Sequence, residues 1–198
     1  MCADLTSPPA TASLRRRAEN LVLLGARGCG KTVVGRLVAR RFGWPFIDTD
    51  EQVEAEAGLT VRQIFERDGE AAFRILESQI LAQALAGTAL VISAGGGAVL
   101  LERNRELLRA NSLCVWLTAP AEELHRRLIA DPRTPAQRPP LTGLSGLDEI
   151  RRILELRGPL YAELADYVID TVGRDTVAVA ALVAAWWYGQ TRGPDARC

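Results

Sequence analysis

Lysine is almost absent from this sequence: of 24 lysines and arginines, Lys31 is the one lysine. Other scarcities bound the function. The single histidine, His125, sits among Glu and Arg on a helix-like stretch and is assigned no role. The four cysteines, Cys2, Cys29, Cys114 and Cys198, show no metal-ligand spacing, and two lie at the chain ends. That usage fits reduced thiols rather than a disulfide frame. Charge of one sign is also lacking, with 24 basic and 24 acidic residues. Nucleic acid as the main partner is therefore excluded, because a phosphate backbone demands a basic surplus. The longest apolar run, Val177 to Tyr188, is too short to span a bilayer. No segment reads as a secretory leader, since the apolar run after Arg15-Arg16-Arg17 is short and leads straight into a glycine loop. A cytoplasmic protein without membrane partners is expected.

What is present suffices for one core: 198 residues, 48% of them hydrophobic. The expected organisation is a flexible N-terminal arm over 1–19, a single domain over 20–189 and a tail over 190–198. No extra exposed apolar stripe is evident, so a monomer is expected. Strand-like runs fall at 20–24, 46–48, 90–93, 113–117 and 167–170. Helix-like stretches fall near 31–42, 60–66, 69–86, 100–110, 120–130, 147–165 and 174–188. Short apolar strands alternating with helices predict an α/β fold, a five-stranded parallel sheet with helices on both faces. Ligands in such sheets bind beyond the carboxyl ends of the strands.

The lone lysine lies in Gly25-Ala26-Arg27-Gly28-Cys29-Gly30-Lys31-Thr32, which fits the phosphate-binding P-loop. Elsewhere a compositional bias has made every basic residue Arg. A compact ammonium reaches between phosphate oxygens where a planar guanidinium does not fit. The context is right, because Asn20–Leu24 reads as a buried strand and Val33, Val34, Leu37 and Val38 carry helical spacing. Backbone N–H groups of Gly28, Cys29 and Gly30 would converge on phosphate oxygens at the helix N-terminus. Thr32 would offer its hydroxyl to Mg²⁺. Cys29 is expected to supply its backbone only.

The other strand ends carry chemistry too. Asp48 and Asp50 can divide labour in phosphoryl transfer, one holding the metal's water shell and the other orienting an acceptor hydroxyl. Asp48 also reads as a plain helix N-cap. Gly95-Gly96-Gly97 lets a substrate approach the backbone closely, or is only a turn. Ser93 could join the metal shell through water. Arg74 either pairs with Glu70 four residues earlier or clamps an anionic substrate, and periodicity does not choose. The Pro-, Gly- and Arg-rich segment at about 131–146 reads as a lid, with Arg138 able to swing onto the transferring phosphate.

Several motifs in order resemble the shikimate kinase family over about residues 20–175. They are the P-loop, Phe46-Ile47-Asp48-Thr49-Asp50, Ile64-Phe65, Gly69-Glu70 and Phe73-Arg74-x-x-Glu77. Gly95-Gly96-Gly97-Ala98-Val99, Arg138-Pro139 and Arg157-x-Pro159-Leu160-Tyr161 complete the set. The resemblance implies a P-loop, nucleoside-monophosphate-kinase-like three-layer sandwich with a moving lid. It implies phosphorylation of the 3-hydroxyl of shikimate by ATP, giving shikimate 3-phosphate and ADP on the route to chorismate and the aromatic amino acids. Asp50 would hold the substrate hydroxyls and act as base. Arg74 and Arg157 would grip the carboxylate, and Gly95, Gly96 and Gly97 would contact the substrate. Lys31, Thr32 and Val33 would lie against ATP with the loop glycines and Cys29, and Arg138 and Arg174 nearby. Thr32 would ligate Mg²⁺, with Asp48 and Ser93 acting through water. Arg127 matches the family's adenine-stacking arginine, with Arg133 in competition.

Three departures stand out. Val33 replaces a second hydroxyl, the lid reads Arg138-Pro139-Pro140-Leu141 where Arg-Pro-Leu-Leu is usual, and the span from Arg127 to Arg138 is longer. Two other readings share some of these features. A gluconate kinase would also need an acid clamp, though Asp50, Arg74 and the triple glycine favour shikimate. A ligand sensor, or a relative fused to a DNA-binding module, would tolerate loss of Lys31 or Asp50, and too few residues precede the first strand for such a module.

Overall fold

The computed structural model describes residues 20–131 and 146–191. Arg133, Arg138 and most of the expected lid fall outside the described residues, as do the arm and residues 192–198. The chain begins with β1 (Asn20–Leu24), α1 (Lys31–Phe42), β2 (Phe46–Asp48), α2 (Thr49–Ala57), α3 (Val61–Leu85) and β3 (Val91–Ser93). A 3-10 turn (Ala98–Leu100), α4 (Glu102–Asn111), β4 (Ser112–Thr118) and α5 (Ala121–Ala130) follow. After the gap come α6 (Gly146–Leu164), β5 (Tyr167–Asp170) and α7 (Thr176–Thr191). All strand pairs are parallel, in the order β2-β3-β1-β4-β5.

The central strand shows why both faces need helices. Its residues are all buried, and successive side chains point to opposite faces. Leu21 and Leu23 enter a core with α1, α5 and α7, while Val22 and Leu24 enter a second core with α3 and α4. A third cluster, Val53, Val61, Ile64, Phe73 and Ile80, joins α2 to α3. α7 closes the first face: Trp187 is buried in its core, and Trp186 stacks on Tyr167 at 5.3 Å with planes 5° apart.

Two elements differ from the sequence reading. Helix α2 was not anticipated, because in Thr49–Ala57 only Thr49 and Val53 are buried. It forms because Asp48 caps it and acidic residues occupy its first turn. The two helices expected at 60–66 and 69–86 are both present within Val61–Leu85, separated by a kink at Gly69, where φ is 82° and ψ 171°. Helix α7 continues to Thr191, past the expected domain boundary at 189, and the Thr191 hydroxyl donates to the Trp187 carbonyl at 3.0 Å. Gly189 costs a helix some stability without ending it. Among the described residues, no helix is long and apolar enough to cross a membrane.

Candidate active site

The loop between β1 and α1 is shaped by close packing. Gly25 has φ +138°, and a Cβ there would strike the Leu117 carbonyl and come 2.8 Å from the Cys29 sulfur. Only glycine fits. Gly30 is the N-cap of α1 in the left-handed region, with no side-chain cap on the helix. The leading N–H groups of α1 therefore face outward without a capping side chain, which is the arrangement that receives an anion. Lys31 Nζ donates to the carbonyls of Gly25 at 2.8 Å and Ala26 at 3.2 Å. Cys29 is buried with its sulfur 3.9 Å from Nζ, and Val33 is half-exposed beside the loop.

Asp48 is the helix N-cap, and its second oxygen is bonded to the phosphate loop. Its Oδ1 accepts from the N–H groups of Asp50 at 3.0 Å and Glu51 at 3.4 Å, which caps α2. Its Oδ2 accepts from the Thr32 hydroxyl at 2.7 Å, which ties the cap to the phosphate loop. Ser93 is buried in register beside Asp48 on one side and Leu23 on the other. These hard oxygen groups gather at the carboxyl ends of β2 and β3, next to the start of α1.

The triple-glycine turn is where the remaining candidates meet. A Cβ on Gly95 would sit 2.5 Å from Glu77 Oε1 and 2.7 Å from Asp50 Oδ1. A Cβ on Gly96 would lie 3.7 Å from Arg157 Nη1, and one on Gly97 would run into the Arg74 guanidinium. Asp50, Arg74, Glu77, Gly96, Gly97 and Arg157 line one cleft, together with Ala26 and Arg27 of the phosphate loop. Its apolar wall comes from Val61, Phe65, Phe73, Leu128, Ile150 and Ile153.

Arg74 makes the expected ion pair and also lines the cleft. It pairs with Glu70 at 3.0 Å and with Glu77 at 2.7 Å, and its guanidinium lies 5.1 Å over the Phe73 ring. Its side chain is 12% exposed, so it lies folded into the cleft wall rather than out in solvent. Glu77 is buried, and its Oε1 has no hydrogen-bond partner among the described residues. Burial pushes its carboxyl above the ordinary glutamate range, against the opposing pull of the Arg74 and Arg157 guanidiniums.

Arg127 and Arg174, the described arginines expected to meet ATP, hold contacts around α5 and the end of β5. α5 packs on the phosphate loop: a Cβ on Gly28 would meet Leu128 at 3.1 Å and the Leu124 carbonyl at 3.3 Å. From that helix Arg127 donates to Glu123 at 2.7 Å, to Thr171 Oγ1 at 2.9 Å and to the Thr171 carbonyl at 3.0 Å. Hydrogen bonds from Arg126 and Arg127 bring the Glu123 carboxyl down to about 2. Arg174 donates to the Asp170 carbonyl at 3.1 Å.

Sequence reasoning left Glu77, Arg27 and Glu149 without roles, although all three line the cleft. Glu77 carried a signal in its spacing, three residues after Arg74 on one helix face. Nothing local marks Thr49, whose hydroxyl accepts from the Gly95 N–H at 2.8 Å.

Comparison with known proteins agrees with this geometry. The family model described as shikimate kinase matches residues 27–186. Shikimate kinase 2 of Dickeya chrysanthemi is 44% identical over 165 residues, 83% of this chain and 94% of the relative. Shikimate kinase of Symbiobacterium thermophilum is 46% identical over 162 residues, 82% of this chain and 92% of the relative. Among solved structures, shikimate kinase from Acinetobacter baumannii in complex with shikimate superimposes with a TM-score of 0.81 at 33% identity, covering 88% of this chain and 95% of that one. The family model and both relatives match most of the chain, and on that ground the chain belongs to the shikimate kinase family.

Proposed function

We propose that this protein transfers the γ-phosphoryl group of ATP to the 3-hydroxyl of shikimate, giving shikimate 3-phosphate and ADP. The observation that carries this reading is the meeting of Asp50, Arg74 and Arg157 around Gly95-Gly96-Gly97, in a cleft that also reaches the phosphate loop. A small anionic polyol needs a cationic clamp for its acid and an acceptor for its hydroxyls. Arg74 and Arg157 supply paired charge-assisted donors. Asp50 orients the 3-hydroxyl and takes its proton as the oxygen attacks the γ-phosphorus. ADP leaves as the bond from the γ-phosphorus to the β,γ-bridging oxygen breaks.

Lys31 and the leading N–H groups of α1 hold the phosphates, with phosphate oxygens replacing the loop carbonyls that Lys31 now contacts. The hydroxyl of Thr32 and the carboxylate of Asp48, already bonded at 2.7 Å, are a hard-oxygen pair that suits Mg²⁺. Ser93 lies alongside and would reach the metal through water. Among the described residues no group of three or more His, Cys, Asp or Glu forms a dedicated cage, as befits a metal carried largely by phosphates and water. When bound, Mg²⁺ neutralises charge on the transferring phosphate. Arg138, which the resemblance offers as the lid arginine, lies outside the described residues. Arg174 and either Arg127 or Arg133 attend the nucleotide. We read the protein as a cytoplasmic monomer.

The test is ADP release with ATP, Mg²⁺ and a panel of polyol acids, each supplied alone. Shikimate should support turnover and gluconate should not. Turnover with gluconate alone would replace the substrate and keep the phosphate chemistry.

A further inference from the structure

The triple-glycine turn is anchored from both sides by hydroxyls that do not line the cleft. Thr49 Oγ1 accepts from the Gly95 N–H at 2.8 Å, and the Tyr161 hydroxyl donates to the Gly96 carbonyl at 2.6 Å. Thr49 and Tyr161 are both 0% exposed. Gly96 and Gly97 line the cleft, whereas Thr49 and Tyr161 do not. Each anchor belongs to an element that also carries a proposed substrate contact. Thr49 precedes Asp50 on α2, and Tyr161 lies one turn after Arg157 on α6.

The two anchors fix peptide planes. A peptide bond is planar and trans, so the carbonyl of one residue and the N–H of the next point in opposite directions. Holding the Gly96 carbonyl against Tyr161 therefore turns the Gly97 N–H away from α6. Gly97 abuts the Arg74 guanidinium, and Gly96 lies by Arg157. The Tyr161 ring is itself braced by Trp116, with centroids 5.8 Å apart. Burial pushes the phenol well above its ordinary value, so it stays a donor across the working range.

We propose that Tyr161 is a positioning residue for acid recognition: by holding the Gly96 carbonyl it presents the Gly97 N–H to the substrate carboxylate between Arg74 and Arg157, with Thr49 as the second anchor. This rests on the functional reading above. Three glycines in a row have no intrinsic preference for one peptide orientation. The buried hydroxyls supply that preference.

Tyr161→Phe keeps the ring against Trp116 and removes the hydroxyl, which also bonds to Arg157, so Thr49→Val is the variant that reads the turn apart from that contact. The KM for shikimate should rise about tenfold, or ~1.4 kcal/mol. kcat and the KM for ATP should stay within about twofold of the parent. With a shikimate analogue whose carboxylate is reduced to an alcohol, the gap between parent and variant should close. Thr49→Val should show the same split, and Thr49→Ser, which keeps the acceptor, should restore parental values. Should Tyr161→Phe fail to fold, the Thr49 pair reads the same turn from its other end. Equal losses for shikimate and ATP, an unchanged shikimate KM in the folded variants, or a gap that persists with the reduced analogue would each overturn the inference. A parent enzyme that does not turn over shikimate sinks the functional reading instead, so the two failures are distinct.

Discussion

The phosphate loop and the acid cleft are built in opposite ways. The loop is eight consecutive residues, Gly25 to Thr32, and most of its apparatus is backbone. Its shape follows from glycines at positive φ, a helix start without a side-chain cap and one ammonium. The acid cleft takes Asp50 from α2, Arg74 and Glu77 from α3, two glycines from the turn after β3 and Arg157 from α6. One site is local in the chain and the other exists only once the sheet has formed. Phosphate binding can thus be read from a short string of letters, while the choice of alcohol depends on tertiary structure.

This contrast breaks most sharply at Asp50. Asp50→Asn should lower kcat by about a thousandfold or more, as for loss of a general base, while nucleotide titration stays near parental. Retention of full activity would remove Asp50 as the base. Lys31→Ala should cost about two to three orders of magnitude in turnover, the scale of a lost preorganised charge contact. Unchanged turnover would mean that the backbone alone carries the phosphates. Arg157→Ala sharpens the comparison from the other side. Its loss should raise the KM for shikimate about ten- to a hundredfold, from a charge-assisted bond worth ~1.5–3 kcal/mol, with a smaller effect on ATP. Equal effects on both substrates would argue that the two sites are not separable.

The smallest expected effect is a slope. Glu77 is an acid whose folded value is raised, so its contribution to stability is complete below the ordinary glutamate value of 4.5 and declines as pH climbs through the raised one. Glu77→Gln does not titrate. Its melting temperature relative to the parent should therefore improve as pH rises from 4.5 upward. Parallel melting curves across that range would show that Arg74 fully compensates the buried charge.

The legibility of each part follows its locality. The five strands are apolar runs between turn residues, and the buried β1 strand has no polar interior to confuse the pattern. α2 escaped because burying only Thr49 and Val53 leaves almost no apolar periodicity to read. Spacing alone gives no choice between surface ion pair and clamp at Arg74, because it holds Glu70 and Glu77 while lining the cleft. Tyr161 and Thr49 were invisible as partners of the glycine turn, since contacts across 65 and 46 positions leave no mark on local spacing.

Asp48 has one further consequence. Its two oxygens look in different directions, one toward the threonine of the nucleotide loop and the other toward the first turn of the helix bearing the proposed base. Anyone retooling this scaffold for a new alcohol therefore inherits a constraint. Lengthening this carboxylate by one methylene would detune donor and acceptor together, so variation at position 48 should be the last degree of freedom released in a directed-evolution library.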